Sequence, residues 1–315
     1  MKAWQFTAVH EPLVLNEVAE PVAVPGEVVI DVKAAGLCHS DIGMLEDENW
    51  PRHGSKNPIT LGHEIAGVIG EVGEGVTDWK TGDSVSVFLT YASMPGHERD
   101  GGYAPKMLAR AQDLIRIPTG VPWEHAAVGA DAGACSYHAL VGVGQAKPGD
   151  KVGIIGFGGL GQLATRIAVL LGYEVYVATR NQNVWPLARE SGAKRIVTDI
   201  RELADEQLDV IVDFAGAGTT TAAAVDTVKR GGRVVLPGMA ALETTISTKS
   251  LIMKQVTLVG ALGASPDAQR GVYELMATGE LSPVTETIAF EEIGTGLARL
   301  SKGGLDARLV ARIGD

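Results

Sequence analysis

Lys151–Thr179 reads KVGIIGFGGLGQLATRIAVLLGYEVYVAT, and its pattern decides the fold of half the chain. Val152-Gly153-Ile154-Ile155 is a short apolar run, as expected of a strand buried on both faces. Gly156-Phe157-Gly158-Gly159-Leu160-Gly161 follows as G-x-G-x-x-G. Leu160, Leu163, Ala164, Ile167, Ala168 and Leu171 then recur on one face of a helix, and Gly172 is placed to end it. Val175-Tyr176-Val177-Ala178 is a second apolar strand.

Within a strand-turn-helix-strand unit these glycines have a physical reading. Gly156 permits the tight turn, Gly158 lets backbone approach a pyrophosphate, and Gly161 lets the helix pack on the sheet. Gly159 and Leu160 open the helix, whose free N–H groups and positive dipole end suit phosphate. The stretch predicts a dinucleotide site. A purely structural glycine-rich turn is the alternative in a chain with 40 glycines, but the order of elements favours the site.

Further apolar runs follow at Arg195–Val197, Leu208–Asp213, Arg233–Leu236 and Val256–Gly260. With the first two they make six strands, the count of a doubly wound α/β sheet. The second strand ends in Thr179-Arg180-Asn181, where NAD enzymes usually place an acid for the ribose hydroxyls. Arg180 suits a 2′-phosphate instead, so this reading favours NADP(H) over NAD(H); the alternative is a solvated loop arginine. Ala215 and Gly238, after later strands, are further candidate cofactor contacts.

At 315 residues the chain is long enough for two domains. It is 45% hydrophobic and 21% charged, enough apolar content for a sizeable core. A net charge of −11 argues against nucleic acid or an anionic membrane as partner. The N-terminus has no apolar signal core and no apolar run reaches ~18 residues, so a cytoplasmic protein is expected. Two cysteines exclude a secreted-type disulfide framework and any four-cysteine zinc site.

The first half differs. Leu13–Leu15 and Val28–Val32 read as short strands separated by Pro21, Pro25 and Gly26. Ala34-Ala35-Gly36-Leu37-Cys38-His39-Ser40-Asp41 then delivers four polar or reactive side chains in succession, and Gly62-His63-Glu64 opens a glycine-punctuated run to Val76. These motifs, with Gly82-Asp83-Ser84-Val85, Gly101-Gly102-Tyr103-Ala104, Ala134–Leu140 and the glycine loop, strongly resemble the zinc-containing medium-chain dehydrogenase/reductase family of the alcohol dehydrogenase type. The resemblance spans the chain in order. It implies a β-rich GroES-like catalytic domain, 1–131 and 263–315, around a Rossmann coenzyme domain, 132–262. One departure is large. Alcohol dehydrogenases of this family usually carry a lobe with a four-cysteine structural zinc between the segments that match Val85 and Gly101. Here only fifteen residues, SVFLTYASMPGHERD, intervene, without cysteine.

By resemblance, Cys38 and His63 are the first two ligands of one catalytic Zn²⁺. The family's third ligand, usually cysteine, stands six residues before the tyrosine of Tyr137-His138-Ala139; that position is Asp131. A carboxylate is a legitimate zinc ligand, and Cys135, out of register, is the rival. Glu64 reads as a transient fourth ligand or a group behind the ligands. Asp41 matches a carboxylate bonded to the ligand histidine, and Ser40 the hydroxyl that passes the substrate proton. The family often ends that relay with a histidine at the position of Gly43, so His39 is a substitute, or lies near the cofactor phosphates. His10, His53, His97 and His125 read as surface or packing residues, His138 as a helix residue, and Trp50 and Phe88 as pocket or packing aromatics.

The resemblance implies a zinc-dependent alcohol dehydrogenase or carbonyl reductase, with a small-molecule substrate between the domains and a homodimer joined through Val256–Gly260. Two other readings stay open: a metal-free quinone or enone reductase of the same superfamily, and a cofactor-binding protein without catalysis.

Overall fold

The computed structural model describes residues 1–50, 56–90 and 93–314; His53 lies outside them. In chain order the first half comprises β1 (Lys2–Phe6), β2 (Val14–Glu17), β3 (Glu27–Gly36), α1 (His39–Glu46), β4 (Ile59–Thr60), β5 (Glu64–Val72), β6 (Ser84–Val87), β7 (Lys106–Arg110), β8 (Leu114–Arg116) and α2 (Trp123–Val128). Then come α3 (Ala134–Tyr137), β9 (Lys151–Ile155), α4 (Gly159–Leu170), β10 (Glu174–Ala178), α5 (Trp185–Glu190), β11 (Arg195–Val197), β12 (Val210–Asp213), α6 (Thr219–Thr227), β13 (Arg233–Leu236), α7 (Thr248–Lys254), β14 (Thr257–Gly260) and α8 (Pro266–Ala277). The chain ends with β15 (Thr285–Ala289), α9 (Ile293–Lys302) and β16 (Arg308–Arg312).

Two compact units result, Met1–Asp131 with Ser282–Asp315, and Ala132–Leu281. The return to the first unit therefore falls at Ser282, not at 263. The reason is α8. It buries Ala268, Val272, Tyr273 and Met276, and its Gly271 lies so close to Tyr137 of α3 that a Cβ there would sit 2.7 Å from the ring. The helix thus stays with the second unit, and only the segment after it returns.

The second unit is the α/β half. Its six strands run in the order β11-β10-β9-β12-β13-β14, all parallel, the doubly wound order in which a crevice opens where the direction of winding reverses. That reversal lies between β9 and β12, and the glycine turn follows β9 directly. Val152, Ile154, Ile211, Val212, Val234 and Val235 are fully buried, as near-continuous apolar strands covered on both faces should be.

The first unit is β-rich. Its larger sheet runs β15-β16-β3-β5-β6-β8, with β7 also on β3, and a smaller one runs β2-β1-β4. Ile30, Leu37, Ile59, Leu61, Ile65, Ile69 and Tyr103 form its core. Register matters for the site. β3 and β5 are antiparallel with Gly36 opposite Glu64, and β16 lies on the other side of β3 with Val310 opposite Gly36. The residues just past the end of β3, at the start of β5 and at the start of β16 therefore meet at one end of the sheet.

Asp83 closes the turn before β6. Its carboxylate accepts from the Lys80 N–H at 3.2 Å and Arg116 Nη2 at 3.3 Å. Hydrogen bonding from Arg116, against the cost of burial, holds its pKa down at about 2, below the ordinary 3.8. A lowered folded pKa stabilises the protein above the ordinary value, and that contribution is lost as pH falls toward the folded one. Asp83→Asn should cost about 1 kcal/mol near neutral pH, with the gap from wild type shrinking between about pH 4 and pH 2. Chemical unfolding across that range is the check; a gap that does not change with pH contradicts it.

Candidate active site

Cys38 follows β3 and caps the N-terminus of α1, where its N–H donates to Asp41 Oδ2 at 3.0 Å. That bond turns Asp41 inward, and Asp41 Oδ1 lies 3.3 Å from His63 Nδ1. Tyr103, fully buried, places its hydroxyl 2.7 Å from Asp41 Oδ2 and 3.1 Å from the Gly36 carbonyl. Burial opposes ionisation of Asp41, yet His63, the Tyr103 hydroxyl and the Cys38 N–H together hold its pKa below the ordinary value. The imidazole is thereby aimed: with Nδ1 toward Asp41, Nε2 is turned to the remaining groups.

Those groups are Cys38, Asp131 and Glu64. Asp131 Oδ2 is 3.7 Å from His63 Nε2 and 3.8 Å from Cys38 Sγ. One ligand atom from each of Cys38, His63, Glu64 and Asp131 lies within 4.8 Å of all the others. Asp131 is carried on a π-helical turn, Gly129–Gly133, between α2 and α3; such turns shift side-chain register and recur at functional sites. Cys135, the rival in sequence, is not among these four donors.

Glu64 is fully buried and paired with Arg308, which is itself buried. Space for that carboxylate comes from Gly36, where a Cβ would lie 2.0 Å from Glu64 Oε2. Burial pushes the Glu64 carboxyl up to about 7; Arg308 opposes this, and the Asp131 charge adds to it. Burial also works against the charge on Arg308, but Glu64 and Cys38 outweigh it and raise its pKa. His63 is likewise raised well above its ordinary value, because Asp41, Asp131 and Cys38 outweigh its desolvation. The cluster attracts positive charge.

That electrostatics fits a metal ion. Glu64 Oε2 is buried with no hydrogen-bond partner among the described residues. A thiol, an imidazole and two carboxylates in one largely buried cluster form a donor set that zinc takes. Ser40 Oγ is 3.7 Å from Cys38 Sγ, at the edge of the cluster, and His39 is exposed. Trp50 covers Gly43: a Cβ there would meet the indole at 2.4 Å, so the indole takes the space of any side chain at that position. Phe88 is half-buried, and His10 is exposed near Glu48. His125 and His138 are half-buried, outside the metal-donor cluster. His97 is buried against the His63 ring.

In the second unit, the turn Gly156–Gly158 leads into α4, whose first residue is Gly159. A Cβ at Gly161 would be 1.9 Å from the Gly156 carbonyl, so helix and turn touch through backbone. Gly158 differs, because a Cβ there would meet no atom of the chain within 4 Å and its φ of −86° is open to any residue. The space before the helix N-terminus is thus a cradle that a side chain would fill, and it fits a dinucleotide phosphate. Ala215 borders the turn, its N within 3.2 Å of a Cβ built on Gly156. Buried Asp213 shapes the loop after β12 by accepting from Ala215 N, Gly216 N, Thr220 Oγ1 and Thr221 Oγ1. Gly238 has its own packing reason, against Gly216 and Phe214. After β10, Thr179 is buried, Arg180 is exposed without an ion pair among the described residues, and Asn181 Oδ1 accepts from Asn183 N.

Sequence reasoning missed Gly36 and Arg308 and gave Tyr103 no role. Gly36 and Tyr103 lie inside recognised motifs, whereas Arg308 is 244 residues from Glu64 and carries no local signal.

Known proteins resemble the chain over both units. Residues 24–119 match the alcohol dehydrogenase GroES-like domain and residues 159–278 the zinc-binding dehydrogenase domain. An alcohol dehydrogenase of Geobacillus stearothermophilus is 31% identical over 99% of this chain and 100% of its own length. The acetophenone reductase of Geotrichum candidum, solved with NAD, superposes with a TM-score of 0.89 at 28% identity, covering 99% of this chain and 96% of that one. A cobalt- and zinc-bound thermostable alcohol dehydrogenase from Pyrobaculum aerophilum gives 0.86 at 26%, covering 99% of each. The chain belongs to the zinc-containing medium-chain dehydrogenase/reductase family of the alcohol dehydrogenase type, and it is an NAD(P)-dependent oxidoreductase.

Among the described residues, no helix is long and apolar enough to cross a membrane.

Tyr103→Phe removes the hydroxyl beside the buried Asp41 carboxylate. The expected cost is about 1–3 kcal/mol in denaturant unfolding. Unchanged stability would mean that Asp41 does not depend on that bond.

Proposed function

We propose that the protein is a zinc-dependent alcohol dehydrogenase or carbonyl reductase, with one zinc held by Cys38, His63 and Asp131 and with NADP(H) preferred over NAD(H). The observation that carries this reading is the Cys38, His63, Glu64, Asp131 cluster, the first three buried and Asp131 half-buried, with all four donor atoms within 4.8 Å of one another. Bound there, zinc supplies a Lewis acid for the alcohol or carbonyl oxygen. The nicotinamide supplies or accepts the hydride.

The chain's own residues do the rest. Cys38 and Asp131 contribute two negative charges, the same formal balance as two thiolates, although a carboxylate is the harder ligand. Asp41 fixes the tautomer of His63 so that Nε2 is the ligand atom. Glu64, balanced by Arg308, stands behind the donors as a transient fourth ligand. Ser40 takes the substrate proton in oxidation and returns it in reduction. Trp50 fills the place of a relay histidine, so the proton leaves Ser40 through water or His39. Gly156, Gly158, Gly159, Leu160 and Gly161 receive the pyrophosphate, and Thr179, Arg180 and Asn181 flank the adenosine ribose, with Arg180 on its 2′-phosphate. The small-molecule substrate is an alcohol, aldehyde or ketone.

A homodimer accompanies this reading. β14 is an edge strand, and Ile252, Met253 and Leu262 near it are exposed at 74%, 67% and 71%. An unpaired edge beside apolar side chains suits pairing with a second copy. Sedimentation as a monomer at micromolar concentration would contradict it.

Cys38→Ser should lose the metal and NADPH-linked turnover while still binding NADPH; full activity in that variant would refute the zinc reading. Arg180→Ala should weaken NADPH at least tenfold more than NADH, roughly what a charged hydrogen bond of 1.5–3 kcal/mol gives. Equal weakening of the two would remove Arg180 from phosphate recognition.

A further inference from the structure

We propose that His97 is a positioning residue for His63: its ring, packed against the ligand imidazole, fixes the plane in which Nε2 faces Cys38 and Asp131. The inference rests on the metal reading given above.

The two ring centroids are 5.7 Å apart with an interplanar angle of 67°, an edge-to-face arrangement. Both rings are buried, at 8% exposure for His97 and 2% for His63. His97 belongs to the short segment between β6 and β7. This segment is built to hold a ring still. Glu98 N donates to the Met94 carbonyl and Gly96 N to the Arg99 carbonyl, each at 2.8 Å. Arg99 anchors the segment to β3 through two bonds to Glu27, at 3.0 and 2.6 Å.

The same segment is tied to the strand that leads into His63. Gly101 N donates to the Thr60 carbonyl, Gly102 N to the Gly62 carbonyl and Tyr103 N to the Leu61 carbonyl, all at 2.8–2.9 Å. At Gly62 the φ is +93°, and a Cβ on Gly101 would lie 2.1 Å from the Gly62 carbonyl oxygen. Backbone packs directly on backbone here. The backbone segments that carry His97 and His63 are therefore held to each other by main-chain contacts.

The physical need is specific. The Asp41 carboxylate, 3.3 Å from Nδ1, draws that end of the ring but leaves its tilt free, and the terminal torsion of histidine is broad. Metal ligation tolerates only about 0.2 Å of error in donor position. A second ring packed edge-to-face against it restricts the tilt. Asp41 and His97 then act as a pair, one setting direction and the other setting plane.

The test compares His97→Phe with His97→Leu in the full chain. Zinc affinity is measured by competition with a chromophoric chelator. The absorption bands of the cobalt-substituted protein report ligand geometry, and melting of the metal-free protein reports the fold. His97→Leu should weaken zinc roughly 10–100-fold and change the cobalt bands. His97→Phe, which keeps a ring, should stay within about threefold of wild type with the same bands. Wild-type affinity and bands in His97→Leu overturn the inference. So does His97→Phe weakened as much as His97→Leu, or a change confined to the melting of the metal-free protein. A wild-type protein that binds no zinc overturns the metal reading itself, and this inference with it.

Discussion

The structure depends on burying several acidic groups around one imidazole. Asp41, Glu64, Asp131 and Cys38 converge on His63, and charge taken out of water is costly unless opposite charge or hydrogen bonds meet it. Arg308 meets Glu64, while Tyr103, the Cys38 N–H and His63 meet Asp41. Cys38 and Asp131 face the Nε2 side of the ring. On the proposed reading, a cation held between them would offset the acidic charge of Asp131 and Glu64 inside the β-rich core.

Backbone register builds that cluster from distant parts of the chain. Gly36 opposite Glu64 and opposite Val310 brings the ends of β3, β5 and β16 together. Gly36 then leaves room for the Glu64 carboxylate. A one-residue slip in either pairing would turn the side chains at this end to the other face of the sheet and scatter the donors. Sheet register thus places Glu64 and Arg308, while the turn after β3 and the π-helical turn bring in Cys38 and Asp131.

Much of this was legible in the sequence, for physical reasons. The six strands of the α/β unit announce themselves because strands buried on both faces must be apolar, and the glycine turn because helix and turn meet through backbone at Gly161. Cys38, His63 and Glu64 stand in motifs whose residue types have little other use together. Asp131 was legible only through its distance from Tyr137, and its π-helical setting gives no signal in composition. Arg308 was not legible, because a charge that pairs across 244 residues leaves no local pattern. The point where the chain leaves the second unit was misplaced because α8 has the amphipathic pattern of any surface helix, and sequence does not say which sheet it covers. His97 read as a packing residue because its importance lies in what it packs against.

The central claim is that one metal ion sits among Cys38, His63 and Asp131. Diffraction from crystals of the purified protein, recorded on both sides of the zinc absorption edge, tests this most directly. The account predicts one anomalous peak per chain, within about 2.0–2.4 Å of Cys38 Sγ, His63 Nε2 and an Asp131 carboxylate oxygen. A zinc peak at other residues, or an anomalous map with none at this cluster in protein that oxidises alcohols, would contradict it.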